Sequence, residues 1–73
     1  MNIIKKVDMQ CTTDGHAKEW HITQYEDNLV VTEWGKIDST LSAKEFLFET
    51  TKEAEAFLNK KVAEKTKKGY VNV

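Results

Sequence analysis

Three side chains with reactive chemistry, Cys11, His16 and His21, recur at five-residue intervals near the start of the chain. A thiol flanked by imidazoles could ligate zinc, or act as a nucleophile once a neighbouring base makes it a thiolate. This spacing fits none of the paired Cys and His patterns that hold zinc, and the alternation around Cys11 directs its side chain towards a core. The expectation is no metal ligand, no cofactor and no catalytic residue. The remaining chemistry lies in tryptophan and lysine. Trp34 precedes Gly35 and Lys36, and Lys60, Lys61, Lys65, Lys67 and Lys68 crowd together near the C-terminus. An indole face can stack on a base or sugar, and grouped ammonium ions can track a phosphate backbone and release its counterions. Both features also have structural uses. Most tryptophans in small domains fill the core, and lysines at the end of a helix complement its dipole.

Charge separates these readings only locally. The chain has 73 residues and a net charge of -1, which gives no global attraction to a polyanion. From residue 60 to residue 68, however, five lysines face the lone acid Glu64, whereas the rest of the chain sets six lysines against eleven acids. Any nucleic-acid footprint must therefore be local. The sequence contains no arginine, so readout through a guanidinium fork is excluded and lysine would act as a point charge. Glu26, Asp27, Glu33 and Asp38 flank the second turn and the Trp34 segment, and they oppose phosphate binding unless they point away from it.

The elements that must position these residues follow from periodicity. Alternation over Ile3–Cys11 predicts a half-buried strand, and Thr13-Asp14-Gly15 is a turn signal. Residues 17–25 form a second strand with Trp20 and Ile22 on one face and His21, Thr23 and Tyr25 on the other. Asp27-Asn28 suits a tight hairpin, because both residues tolerate left-handed backbone angles. Residues 29–34 return as a third strand that Gly35 stops, with a polar loop over residues 36–41. Residues 43–49 form a fourth strand whose Phe46 and Phe48 point into the core.

Thr50-Thr51-Lys52-Glu53 matches a capping box, in which hydroxyl and carboxylate satisfy each other's backbone donors at a helix start. Ala54, Phe57, Leu58 and Val62 then recur at helical spacing, with Glu55, Asn59, Lys60 and Glu64 away from that stripe. Gly69 is the expected C-terminal cap, and residues 70–73 resume an extended run. With no proline and no linker-like stretch, residues 1–73 read as one α+β domain. Its expected architecture is an antiparallel four- to five-stranded sheet with one C-terminal helix packed across a face.

The run Trp34-Gly35-Lys36-Ile37 resembles the signature of the WGR family, named for a Trp-Gly-Arg triplet commonly followed by isoleucine. Lys18-Glu19-Trp20-His21-Ile22 is similar to the family's lysine-aromatic strand before the motif. Phe46-Leu47-Phe48, Lys52-Glu53-Ala54, Phe57 and Lys65-Thr66-Lys67-Lys68-Gly69-Tyr70 resemble its later strand, helix and closing Lys-rich Gly-Tyr segment. The resemblance spans roughly residues 16–73 and implies an antiparallel sheet with a helix on one face. In poly(ADP-ribose) polymerases this domain binds at DNA breaks; the motif tryptophan packs against a strand end, and the arginine joins backbone and interdomain contacts. By resemblance those roles fall on Trp34 and Lys36, where lysine keeps the charge but loses the planar fork. Neither zinc-finger cysteine sets nor a catalytic domain occur in these residues.

The resulting expectation is a non-enzymatic module that binds nucleic acid, DNA ends or nicks before RNA, through Trp34, Gly35 and Lys36 with Lys60, Lys61, Lys65, Lys67 and Lys68. The alternative is a protein-interaction module that docks a partner at a sheet edge or at the same aromatic surface. Apolar stretches such as Leu29-Val30-Val31 fall far short of the ~18 residues of a membrane span. The N-terminus lacks a signal-peptide apolar region, and one cysteine cannot form an internal disulfide. The expected location is the bacterial cytoplasm or the nucleus, without secretion or membrane insertion.

Overall fold

A computed structural model describes residues 2–15 and 17–73. Five strands and one long helix follow one another as β1 (Ile3–Cys11), β2 (Lys18–Tyr25), β3 (Leu29–Lys36), β4 (Ser42–Leu47), α1 (Thr51–Lys67) and β5 (Val71–Asn72), with a 3-10 turn at Thr13–Gly15. The strands form one antiparallel sheet in the order β4-β3-β2-β1-β5, and α1 lies across one face. This is the α+β architecture expected from the sequence.

Register decides what each face carries. Trp20 pairs with Met9 on one side and Trp34 on the other, while Ile22 pairs with Val7 and Thr32. Val30 stands opposite Phe46. Because directly opposed residues share a face, this row lies under α1. Met9, Trp20, Ile22, Val30, Ala54 and Leu58 are buried there, and Val7, Phe46, Phe48, Phe57, Val62 and Tyr70 pack around them. Phe57 tilts against Phe46 and Phe48, with ring centres 4.6 and 5.1 Å away. The face opposite α1 carries Asp8, Glu19, His21, Glu33 and Glu45 by the same register.

The turns account for the helix orientation. Asn28 has φ 65°, which allows the tight β2–β3 hairpin, and its backbone carbonyl accepts from Phe48 N–H at 3.0 Å. Its side chain also accepts from the Thr51 hydroxyl at 2.9 Å, fixing the start of α1 beside the hairpin. Thr50 Oγ1 accepts from Glu53 N–H at 3.1 Å, as a capping threonine should. The Glu53 carboxylate accepts from the Thr50 hydroxyl, whereas the sequence suggested the Thr50 backbone donor. At the other end Tyr70 N–H bonds Lys65 O and Gly69 N–H bonds Thr66 O. That is a Schellman closure, and Gly69 occupies its left-handed position at φ 100°. The helix therefore runs from the hairpin end of the sheet to the Trp34 end.

Several expected boundaries move. β3 does not stop at Gly35: it runs on to Lys36, with Gly35 paired to Glu19 and Lys36 to Lys18. Glycine eases a close approach there, since a Cβ would lie 3.1 Å from Leu41 Cδ2, which would have to shift by a few tenths of an ångström, and 3.5 Å from Thr40 O. The following loop thus folds back onto the motif. β2 begins at Lys18, and β4 covers Ser42–Leu47, leaving Phe48 outside the strand while it still packs on Phe57.

Candidate nucleic-acid interface

The α1 axis does not cover the whole sheet. Beyond the tight contact of Leu58 and Ala54 with the sheet, a groove of about 260 Å³ opens between the C-terminal half of α1 and the β3–β4 side. Its floor is Trp20, Thr32, Trp34 and Phe46, with Lys44; its wall is Lys61, Glu64, Lys65 and Lys68. Trp20 is 3% exposed and belongs to the core, whereas Trp34 is 40% exposed. The difference follows from strand position. Trp20 lies in the middle of the sheet under the helix, while Trp34 pairs outward with the small Ser42, which leaves its face uncovered. Of the two uses open to Trp34, core filling and surface presentation, its placement matches the second.

Lysines surround this groove. Lys65 Nζ stands 5.6 Å from the Trp20 ring centre and 5.3 Å from that of Tyr70. Burial, then the neighbouring charges of Lys68, Lys61 and Lys18, hold its pKa below the usual 10.5 against the opposing pull of Glu64. The grouping of Lys61, Lys65 and Lys68 along one wall concentrates positive potential there. Lys61 lies 5.5 Å from the Phe57 ring centre and 3.6 Å from Glu64, and Lys44 lies 5.2 Å from the Phe46 ring centre. Next to the groove, Lys18 and Lys36 face each other across β2 and β3 and line a hollow with Gly15, Ala17 and Ile37. Like charges directly opposed across a sheet are unfavourable unless an anion or solvent separates them.

The predicted residues divide accordingly. Trp34, Lys61, Lys65 and Lys68 line one groove, Lys36 sits in the adjoining hollow, and Gly35 carries the strand between them. Lys60 and Lys67 are exposed and stand apart, because each lies two residues beyond a sheet-facing position, about 200° around the helix. Glu64, expected away from the apolar stripe, lies on its flank beside Lys61 and enters the groove. Sequence reasoning missed Lys18 and Lys44 as site residues. The signal was available in strand alternation, since each stands two residues before an aromatic of the helix-covered face, Trp20 and Phe46.

The acids that oppose a phosphate are largely turned away. Glu33 pairs with His21 on the face opposite α1, and Glu26 and Asp27 occupy the hairpin at the far end of the sheet. Asp38 stays near the motif, in the turn after Lys36, at φ 66°. On the open face His21 bridges two carboxylates, with Nδ1 2.6 Å from Asp8 and Nε2 2.5 Å from Glu19. Burial alone would favour the neutral ring, but the hydrogen bonds and charges of Glu19 and Asp8 outweigh it and hold the pKa above 6.5. An imidazolium can donate to both carboxylates at once; the neutral ring can donate to only one.

Cys11 and His21 are not brought together. Cys11 is buried on the helix-covered face, its sulfur 3.4 Å from Thr13 Oγ1, and His21 is on the opposite face. His16 lies outside the described residues. Among the described residues no group of three or more His, Cys, Asp or Glu side chains is placed to hold a metal ion, and no helix is long and apolar enough to cross a membrane.

Comparison with known proteins agrees with the fold. The WGR domain model matches residues 5–73. A crystal structure of a Bacteroides fragilis protein matches with a TM-score of 0.85 and 30% identity over 94% of this chain. The matched region is 19% of that protein's chain, so the present chain spans about a fifth of its length. No curated protein matches the chain. WGR domains act as nucleic-acid-binding domains in proteins of the poly(ADP-ribose) polymerase type. With the motif in β3, the helix across one face and the match running over nearly every residue, the chain belongs to the WGR domain family.

Proposed function

We propose that this WGR domain binds nucleic acid in the groove between α1 and the β3–β4 side of the sheet, with duplex DNA bearing an end or a nick as the favoured ligand. The observation that carries the reading is the convergence of the exposed Trp34 face of β3 with lysines from β4 and the C-terminal end of α1 in one groove, beside the Lys36 and Lys18 pair of β3 and β2 in the adjoining hollow. Trp34 stacks on a terminal sugar or base, an interaction worth about 1–3 kcal/mol. Lys61, Lys65 and Lys68, with Lys44, lie against phosphates, and Lys36 with Lys18 extends the positive track beyond Trp34. Lys60 and Lys67 act at longer range, through the field of the helix end. The DNA preference comes from the family; the groove chemistry by itself suits either polymer.

The test is a fluorescence-anisotropy titration of labelled blunt, nicked and single-stranded oligonucleotides at low and physiological salt, with Trp34→Ala and Lys36→Ala beside the parent. Expected is binding that weakens steeply with salt, is strongest for ends or nicks, and is lost in folded Trp34→Ala. No binding even at low salt rejects the reading. That result promotes docking of a protein at the β4 edge of the sheet, where Leu47 is 75% exposed.

A further inference from the structure

Glu64 is out of place in a site built for phosphate. Among the described residues that line the groove it is the sole carboxylate, and it enters between Lys61, Lys65 and Lys68. An ionised carboxylate only accepts hydrogen bonds, so it repels phosphate oxygens, and from the backbone it gains at most a single donor, a terminal hydroxyl or the 2′-hydroxyl of RNA. Its ion pair with Lys61 does not account for it. The two side chains are 37% and 45% exposed at 3.6 Å separation, and an i,i+3 pair that open to water contributes little to stability. The carboxylate therefore remains available to a ligand.

The paired donors that can engage both oxygens of such a group are on the bases. A groove of about 260 Å³ is smaller than the ~300–1,000 Å³ pockets that enclose drug-sized molecules, and it presents one exposed aromatic face, Trp34, as a platform. Those dimensions suit one unpaired base at the end of a strand. Among the four bases, guanine alone carries two adjacent donors on its pairing edge, N1–H and the N2 amino group, which match the two oxygens of a carboxylate. Adenine and cytosine offer one amino group flanked by an acceptor that the carboxylate would repel, and thymine offers one N–H between two carbonyls.

We infer that the groove reads an unpaired guanine at a strand terminus, with Trp34 stacking on its ring and Glu64 accepting from its N1–H and N2 amino donors. The inference rests on the nucleic-acid reading above and adds a base preference to it. A paired base within a duplex has these donors occupied, so the preference is confined to overhangs and frayed ends. Lys61 and Lys68, on either side of Glu64 along α1, then meet the phosphates flanking the bound nucleotide.

Duplexes carrying a single unpaired terminal guanine, inosine, adenine or thymine, titrated against the parent, Glu64→Gln and Glu64→Ala, test this. A bidentate base contact discriminates by about 5- to 150-fold. The parent is expected to favour guanine over adenine and thymine by at least about fivefold, with inosine, which lacks the N2 amino group, between them. Folded Glu64→Ala should bind all four equally, and Glu64→Gln should retain only part of the preference. Equal binding of the four overhangs by the parent overturns the inference and leaves the nucleic-acid reading standing. So does a guanine preference that survives in Glu64→Ala, or a uniform gain in affinity with an unchanged ratio, which would make Glu64 merely a screen for Lys61. Failure to bind any overhang at low salt removes both.

Discussion

The division of the C-terminal lysines into those facing the groove and those facing away gives a quantitative prediction. Six lysines lie in the groove or the adjoining hollow: Lys18, Lys36, Lys44, Lys61, Lys65 and Lys68. If each neutralises one phosphate of a duplex, the logarithm of the binding constant falls with the logarithm of salt at a slope of about -5. Between 50 and 200 mM salt that is a loss of about a thousandfold in affinity. Replacing Lys61, Lys65 and Lys68 together by glutamine removes three of the six contacts and should bring the slope to about -3. Replacing Lys60 and Lys67 by glutamine removes two charges from the same helix but no groove contact. That variant should weaken binding modestly through the general field while keeping a slope near that of the parent. Anisotropy titrations over a salt series, with circular dichroism to confirm that each variant is folded, read both slopes. If the outward pair lowers the slope as much per lysine as the inward three, the groove is not the contact surface and only the net charge of the helix end matters.

The two tryptophans should separate by assay. Trp20→Ala opens a cavity in the core and should cost about 3–5 kcal/mol in urea denaturation, whereas Trp34→Ala should cost less than about 2 kcal/mol and act mainly on binding. Equal destabilisation would place Trp34 in the core. Protonated His21 has a folded-state pKa above its unfolded value, so its stabilising contribution is complete below pH 6.5 and declines as pH rises through the raised value. Thermal melts should therefore show the difference between the parent and His21→Gln shrinking as pH climbs above 6.5 and through the raised value; a difference independent of pH would contradict the Asp8–His21–Glu19 bridge. Gly35→Ala places a methyl group 3.1 Å from Leu41 Cδ2 and should cost about 1 kcal/mol or more by overpacking. Leu41→Ala in the same chain should return part of that loss, and strict additivity of the two changes would exclude the contact.

By itself the sequence determined the local elements and their faces. Alternation in β1 and β2 divided their side chains between two faces before any pairing was known, because side chains of a strand must project to opposite faces. Thr50, Glu53 and Gly69 marked both ends of α1, because orphan backbone groups at a helix terminus call for these residue types. The same local logic went wrong at Gly35. A glycine usually interrupts a strand, but here it lies inside one, where Leu41 of the following loop folds back against its backbone, and that return of the loop cannot be read from alternation along the strand.

The composition of the site depended on tertiary structure. Five clustered lysines look alike in sequence, yet the turn of the helix sends Lys61, Lys65 and Lys68 to the groove and Lys60 and Lys67 to solvent. Lys18 and Lys44 join from strands far away in the chain through antiparallel register, and Glu64 comes with its helix flank. Trp20 and Trp34 are equivalent as residues and directly paired in the sheet, but only the first lies under α1. Periodicity fixes which face of its own strand or helix a side chain takes, because that depends on bonded geometry. Which residues of other elements meet it, and whether the meeting place is covered, depends on where the helix crosses the sheet.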